Sequence, residues 1–293
     1  MDERSWLAQR FEENRGHLRG VAYQLLGSLS EADDAVQEAW LRLNRSDADK
    51  IQNLSGWLTT VVARVCLDML RSRKSRAEES LEDGSPAIEA HTAASDPEQE
   101  ALLADSVGLA LLVVLDRLSP AERLAFVLHD VFAVPFEEIA GIVGRTPEAA
   151  RQLASRARRR VQGTESVASP IRSEQREVVS AFLSALRRGD FEGLLAVLDP
   201  DVLVRIDEAA ARPGGPREIR GARNWAQGAM AFAHLAQFAQ PAVVNGSVGI
   251  VFAPRGKLSR VLNLTISNKS IVNVEIIADP ARLRDIDLAV LEN

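Results

Sequence analysis

The stretch from residue 77 to residue 105 is the feature that most constrains how this chain can fold. It contains nine acidic side chains and no lysine or arginine, together with Gly84, Pro86 and Pro97. Its like charges repel one another and its glycine and prolines interrupt regular structure, so the segment buries too little apolar surface to form a domain. The sequence therefore predicts a flexible acidic linker over residues 77–105 that separates two folded parts.

The net negative charge of the chain is concentrated in this linker. The whole chain carries a formal charge of -6, but the linker alone carries -9, whereas residues 1–76 carry +1, residues 106–163 carry +2 and residues 164–293 are neutral. Basic side chains cluster on both sides of the linker. They are Arg64, Arg71, Arg73, Lys74 and Arg76 before it, and Arg151, Arg156, Arg158, Arg159 and Arg160 after it. An acidic chain thus retains two basic segments, a pattern typical of nucleic-acid contact.

Composition excludes several classes of protein. The single cysteine, Cys66, cannot form an intramolecular disulfide, and the four histidines lack the spacing of a zinc site. The first 16 residues are charged where a signal peptide would be apolar. No later segment reaches the roughly 18 unbroken apolar residues of a membrane span. We therefore expect a cytoplasmic protein without a membrane span, a structural metal or a cofactor.

Residues 1–76 show the apolar spacing of amphipathic helices. Val36 and Leu43 belong to a run in which apolar residues recur every three or four positions, and a further run extends over residues 55–70. Ser30 is the predicted N-cap of the helix that contains the first of these runs. The segment is therefore predicted to form a small helical bundle.

Residues 106–163 contain the strongest local signals in the chain. Residues 119–122 (SPAE) supply an N-cap, a proline in the first turn and a glutamate three residues after the cap, which together predict a capping box. A short helix over residues 136–143 is followed by a break at residues 144–145 and a second helix over residues 147–161. Two helices joined by a tight glycine-containing turn predict a helix-turn-helix.

The outer face of the second of these helices has polar side chains suited to DNA. Arginine pairs with guanine edges or phosphates, glutamine reads adenine, and glutamate accepts a hydrogen bond from cytosine. The candidate DNA-binding residues are Glu148, Arg151, Gln152, Ser155, Arg156, Arg158 and Arg159. A solvated arginine-rich helix would show the same residues, but the capping box and the tight turn favour DNA binding.

Residues 172–293 follow a different pattern, in which helical spacing gives way after residue 240 to β-rich runs separated by turn residues. Helices followed by a meander of strands predict an α+β domain. Asp207, Glu208 and His234 are the polar residues that we expect near the mouth of such a domain. They do not form a convincing acid–base pair, so we predict no catalytic residues and no enzyme.

Several motifs resemble the bacterial sigma factors. Residues 31–43 (EADDAVQEAWLRL) and residues 57–71 are similar to their second conserved region, and residues 118–129 (LSPAERLAFVLH) with residues 136–161 are similar to their fourth. The order resembles the extracytoplasmic-function (ECF) sigma factors, and residues 172–293 resemble the SnoaL-like domain of the sigma-J-like subgroup. The resemblance implies a multidomain protein with two all-α domains, the second a helix-turn-helix, and a cone-shaped α+β domain.

The resemblance also implies partners, namely core RNA polymerase and promoter DNA. It places an acidic face made of Asp33, Asp34, Gln37 and Glu38 against the clamp of the largest polymerase subunit, and it adds the flap of the second subunit as a further contact. The helix at residues 147–161 would enter the major groove of the -35 element. The residues that match the contact to the opened -10 element are Asn53, Trp57, Thr60, Arg64, Arg71, Arg73 and Lys74. A solvated helix face explains the acidic residues equally well, and Trp57 fits a core position.

The resemblance implies a regulatory role for the C-terminal domain, with an unknown small molecule as a possible ligand. Where the subgroup has a glycine-rich loop, this chain has residues 207–217 (DEAAARPGGPR), and the subgroup's Trp-Leu-Pro linker motif is absent. The linker either passes through core polymerase, as in the family, or is a solvated tether. A ligand-sensing helix-turn-helix repressor is the alternative function, since it would need no acidic helix. An enzyme would rest on fold analogy alone.

Overall fold

The computed structural model describes residues 3–46, 51–82, 108–163, 170–211, 214–215 and 217–291. The chain divides into two units, one made of Met1–Glu100 with Leu115–Arg158 and the other of Ala101–Val114 with Arg159–Asn293. Within the described ranges, no helix is both long enough and apolar enough to cross a membrane.

Three helices begin the first unit: α1 (Glu3–Leu26), α2 (Leu29–Arg45) and α3 (Leu54–Glu82). Their apolar faces pack against one another, as the helical spacing of the sequence requires. Side chains that are fully or almost fully buried in this bundle are Leu18, Leu25, Leu43, Leu58 and Leu67. The predicted helical bundle is confirmed.

Two helix boundaries differ from the prediction. Ser28, whose backbone is extended, caps α2 by accepting the Glu31 N–H at 3.5 Å, so the cap predicted at Ser30 is wrong. Helix α3 continues to Glu82, six residues into the predicted linker. Alanine, glutamate and leucine in that stretch are favourable helix formers and extend a helix that is already nucleated. The rest of the predicted linker, residues 83–105, lies outside the described residues.

The chain continues with the helices of the predicted helix-turn-helix region. They are α4 (Leu109–Asp116), α5 (Pro120–Phe126) with a π-helical turn (Val127–Val131), α6 (Phe136–Val143) and α7 (Pro147–Gln162). The capping box is present, because Ser119 Oγ accepts the Glu122 N–H at 3.4 Å and Glu122 Oε2 accepts the Ser119 N–H at 3.2 Å. Gly144 ends α6 with a φ of 69°, in the left-handed region that favours glycine. The predicted helix-turn-helix is confirmed.

The second unit combines helices with a mixed sheet. Its helices are α8 (Pro170–Arg188), α9 (Phe191–Val197), α10 (Ala222–Met230) and α11 (Pro280–Asp285), with 3-10 turns at Ala233–Phe238 and Pro254–Gly256. Its strands are β1 (Leu198–Ile206), β2 (Glu218–Arg220), β3 (Ala239–Val244), β4 (Ser247–Phe252), β5 (Arg260–Ser267), β6 (Ser270–Ile277) and β7 (Leu288–Ala289). Among the described residues the strand order is β2-β1-β6-β5-β4-β3-β7. The β1–β6 pair is parallel and the other pairs are antiparallel.

The core of the second unit lies between the sheet and helices α8 and α10. Phe182 and Leu183 enter it from α8, Trp225 from α10, and Leu262 and Leu264 from alternate positions of β5. Alternation of inward and outward side chains along a strand accounts for the β5 pattern. The predicted α+β fold class of this part of the chain is confirmed.

Candidate nucleic-acid interface

Helix α7 separates an apolar inner face from a polar outer face. Ala150, Ala154 and Ala157 are fully buried, and their small side chains let the helix pack closely on its scaffold. The candidate residues Glu148, Arg151, Gln152, Arg156 and Arg159 are exposed, whereas Ser155 and Arg158 are half-buried. The structure therefore brings most of the predicted -35 contacts together on one accessible surface.

Hydrogen bonds order the N-terminal turn of α7. Thr146 Oγ1 accepts the Ala149 N–H at 3.2 Å. Glu148 has a lowered pKa because its own backbone N–H and the Thr146 hydroxyl donate hydrogen bonds to its carboxylate. The glutamate is thus held ionised near the start of the helix, where it can accept a hydrogen bond from a base amino group.

The arginines of the outer face differ in how they are held. Arg156 Nε donates to Glu122 Oε1 at 3.1 Å, and Arg158 Nε donates to Asp130 Oδ1 at 2.8 Å. Arg151 instead lies over the Phe136 ring, with its guanidinium carbon 5.2 Å from the ring centroid. A cation–π contact of this kind holds the guanidinium close to the aromatic ring.

The second basic surface follows one side of α3. Trp57, Arg64 and Arg71 recur every seven residues and therefore lie along one face of the helix. Arg64 and Arg71 are exposed, and Trp57 and Thr60 are half-buried. Lys74, farther along the helix, is also exposed.

Two predicted -10 contacts have structural roles in this arrangement. Asn53 caps α3, since its Oδ1 accepts the Gly56 N–H at 3.1 Å. Arg73 is half-buried, and its Nε donates to Glu31 Oε1 at 3.0 Å while its Nη1 donates to the Leu26 carbonyl at 3.1 Å. Arg73 therefore ties α3 to the α1–α2 corner, apart from the exposed row of Arg64 and Arg71.

A buried arginine joins the two helical regions of the first unit. Arg123 on α5 is 2% exposed and donates to Asp116 Oδ1 at 3.2 Å and to the Gln24 carbonyl of α1 at 3.4 Å. Burial lowers its pKa, and the charge of Asp116 opposes that shift. Sequence reasoning missed this residue, although an arginine directly before the apolar run at residues 124–128 was a detectable signal. In addition, Arg64 Nη2 donates to the Gly141 carbonyl of α6 at 3.3 Å.

The acidic face of α2 also has an apolar member. Asp33, Asp34 and Gln37 are exposed, Glu38 is half-buried, and Leu41, one turn farther along, is 41% exposed. Arg19 Nε pairs with Asp33 Oδ1 at 2.7 Å, and Arg42 pairs with Glu38 at 2.9 Å. Leu41 was not singled out from the sequence.

The second unit encloses a cavity of about 490 Å³. The polar residues expected at its mouth do not line it. Asp207 caps a turn, Glu208 is exposed and pairs with Arg217 at 2.8 Å, and His234 is exposed. The arginine that does line the cavity, Arg260, was missed. The sequence did contain a sign of this role. Arg260 occupies the first of the alternate positions of β5, and the other three are Leu262, Leu264 and Ile266.

Both helical regions match known protein families. Residues 10–76 match the model of sigma-70 region 2, and residues 108–161 match that of sigma-70 region 4. The "Probable ECF RNA polymerase sigma factor SigI" of Mycobacterium tuberculosis is 34% identical over 297 residues, covering 97% of each chain. The "ECF RNA polymerase sigma factor SigJ" of the same organism is 42% identical over 213 residues, covering 72% of this chain and 68% of SigJ.

Among solved structures, the crystal structure of Mycobacterium tuberculosis SigJ covers 94% of this chain and 98% of its own, with 32% identity and a TM-score of 0.46. The sequence match to SigI extends along nearly the whole of both chains, so the predicted resemblance is confirmed. The chain belongs to the ECF RNA polymerase sigma factors.

Proposed function

We propose that this sigma factor, which acts in transcription initiation through RNA polymerase, reads the -35 element with Arg151 and Gln152 of α7. Both are exposed on the outer face, and the cation–π contact with Phe136 holds the Arg151 guanidinium close to the ring. The ion pairs of Arg156 and Arg158 with Glu122 and Asp130 hold those guanidinium groups at the side of the helix, a position suited to phosphates. The exposed position of Arg151 beside Phe136 is the observation that supports this assignment.

The exposed row on α3 is proposed to hold the opened -10 strand. Trp57 offers an aromatic surface for an unstacked base, and Arg64, Arg71 and Lys74 provide a basic track for the backbone. Arg73 is excluded from this role by its partners within the bundle. The same reasoning gives Asn53 the role of a helix cap.

Core polymerase is the proposed partner of the acidic face of α2. Asp34, Gln37 and Leu41 lie on one stripe of the helix and are exposed, which combines charge with an apolar anchor. We assign this surface to the clamp of the largest subunit.

The C-terminal unit is proposed to regulate promoter recognition rather than to catalyse a reaction. Val290 N–H, just after β7, donates at 2.8 Å to the carbonyl of Val161 in the last turn of α7. Leu291 packs against the core of the same unit. A change in that core can therefore reach the end of the helix that we assign to the -35 element. A helix-turn-helix repressor is not favoured, because residues 10–76 match sigma-70 region 2.

The -35 assignment is tested by promoter-selective transcription with the full chain and purified bacterial core polymerase. Arg151→Ala should lose about 1–3 kcal/mol of discrimination at one base pair of the -35 element, because a bidentate contact to that base is removed. Arg284→Ala, which removes an exposed arginine of the second unit, is the matched control and should leave discrimination unchanged. A loss of equal size on every -35 sequence would place Arg151 on a phosphate and refute base readout.

A further inference from the structure

The cavity of the second unit is large enough for a small organic ligand. Its volume of about 490 Å³ falls within the range of small-molecule sites. Apolar side chains provide most of its wall: Phe182 from α8, Trp225 from α10, Phe232, and Leu262 and Ile276 from the sheet. Such a wall selects a ligand whose body is aliphatic or aromatic.

One charged group interrupts this apolar wall. Arg260 is the first residue of β5 and shares its inward face with Leu262 and Leu264, which are both 4% exposed. Its guanidinium carbon lies 5.7 Å from the centroid of the Phe232 ring. Among the described residues, no carboxylate lies within ion-pairing distance of this guanidinium. A half-buried guanidinium without a carboxylate partner can pair with the anionic group of a ligand.

One acidic side chain, Asp207, acts on Arg260 from beyond ion-pairing distance. Burial lowers the pKa of Arg260, while the charge of Asp207 acts in the opposite direction. The Asp207 carboxylate is already occupied by three backbone N–H donors, from Ala210, Ala278 and Asp279. It therefore compensates Arg260 only at a distance and leaves the guanidinium available to an anion.

Trp225 contributes aromatic surface to the cavity wall. Its side chain lines the cavity and the residue is 7% exposed, yet its indole Nε1 is buried with no hydrogen-bond acceptor in the described part of the chain. Because that nitrogen is inaccessible to solvent, Trp225 faces the open space of the cavity with its carbon ring atoms. The cavity wall thus contains one cation, Arg260, and two amide side chains, Asn224 and Gln227, within a mostly apolar surface.

We propose that this cavity binds a small apolar monocarboxylic acid. The carboxylate pairs with Arg260, and the hydrocarbon body fills the space between α8, α10 and the sheet. A single arginine balances one negative charge, which favours a carboxylate over a phosphate dianion. Binding itself stands apart from the proposed transcriptional role, whereas any effect of the acid on promoter use rests on that role.

The test measures binding to the full chain by isothermal titration calorimetry. Decanoate and 2-naphthoate are the acidic probes, and 1-decanol and 2-naphthalenemethanol are their neutral counterparts. The acids should bind about 10- to 100-fold more tightly than the alcohols. Arg260→Met keeps the length and apolar stem of the side chain, so it should abolish this preference while the alcohols still bind, which shows that the cavity is intact.

Arg205→Met is the matched control, because Arg205 lies on β1 of the same sheet and is exposed. This variant should retain the preference for acids. Equal affinity for acids and alcohols in the unmodified protein would overturn the proposal, as would unchanged binding of acids by Arg260→Met or the absence of binding by both acids. None of these outcomes depends on transcription, so a failure here is distinguishable from a failure of the proposed promoter contacts.

Discussion

Asp207 shows how a carboxylate stabilises the second unit by accepting backbone hydrogen bonds. Its side chain is 7% exposed and accepts the N–H groups of Ala210, Ala278 and Asp279 at 2.8, 2.8 and 2.9 Å. Burial acts to raise its pKa, but these donors and the charge of Arg282 outweigh burial and lower it. Since the folded pKa lies below the unfolded value, Asp207 stabilises the fold above the unfolded pKa. That stabilisation is lost as pH falls through the folded pKa.

The prediction at this scale concerns Asp207→Asn. An amide cannot replace a carboxylate that receives three N–H donors, so the variant should lose about 1–3 kcal/mol of unfolding free energy at pH 7. The difference from the unmodified protein should shrink as the pH is lowered toward 2, because protonated aspartic acid is itself a weak acceptor. Urea unfolding at several pH values measures this difference in unfolding free energy. Glu208→Gln, at an exposed position, is the control and should be nearly neutral. A pH-independent loss for Asp207→Asn would contradict the assigned role.

At the scale of elements, the capping box connects helix stability to the DNA-reading helix. Glu122 is 6% exposed, accepts the Ser119 N–H and the Ser119 hydroxyl, and pairs with Arg156 of α7. The start of α5 therefore also fixes one guanidinium of the proposed -35 surface. A cap in this position affects both the fold and the interface.

Ser119→Ala should destabilise the first unit by about 0.5–2 kcal/mol, because the Glu122 N–H loses its acceptor and Glu122 loses a donor. Ser28→Ala is the matched variant at the start of α2, where the capping bond is longer, at 3.5 Å, and its cost should be smaller. Thermal unfolding of both variants gives the comparison. Equal costs would show that the reciprocal bonds of the capping box add nothing to a simple cap.

The same elements show which features a sequence can predict. The helix-turn-helix follows from signals within a few residues, namely the capping box, Gly144 and the apolar spacing of α6 and α7, so local rules suffice. Arg123 and Arg260 escape such rules because their roles depend on neighbours distant in sequence, Gln24 and Phe232. The extension of α3 to Glu82 was missed because composition indicates the absence of a core and not the absence of a helix.

At the scale of the whole molecule, the first unit packs the two proposed DNA-contacting regions against each other. Arg64 of α3 donates to Gly141 of α6, and buried Arg123 reaches the Gln24 carbonyl of α1. The -35 and -10 elements of a promoter lie about 25 base pairs apart, or roughly 85 Å along B-DNA at 3.4 Å per base pair. Two regions in hydrogen-bond contact cannot span that distance on straight DNA. We therefore expect these contacts to break and the regions to separate when the chain binds a promoter.

Energy transfer between two dyes can detect this separation. Burial raises the pKa of the Cys66 thiol to about 12. The natural cysteine should therefore not react with the dyes at neutral pH. Dyes attached through Ser72→Cys on α3 and Glu138→Cys on α6, both exposed positions, should show high transfer in the free protein. Transfer should fall when core polymerase and promoter DNA are added, because polymerase binding energy replaces the Arg64 and Arg123 contacts.

The control for this experiment is a pair of dyes within one region, at Ser72→Cys and Arg15→Cys, on the packed helices α3 and α1. Transfer in this pair should be unaffected by polymerase, since the three-helix bundle stays intact. High transfer between α3 and α6 in a complex that still initiates transcription would contradict the expected separation. In that case the DNA would have to bend to bring both elements to a closed protein, at a cost of up to about 10 kcal/mol for strong bends. The closed packing of Arg64 and Arg123 would then belong to the active complex, and promoter curvature rather than protein opening would be the quantity to measure.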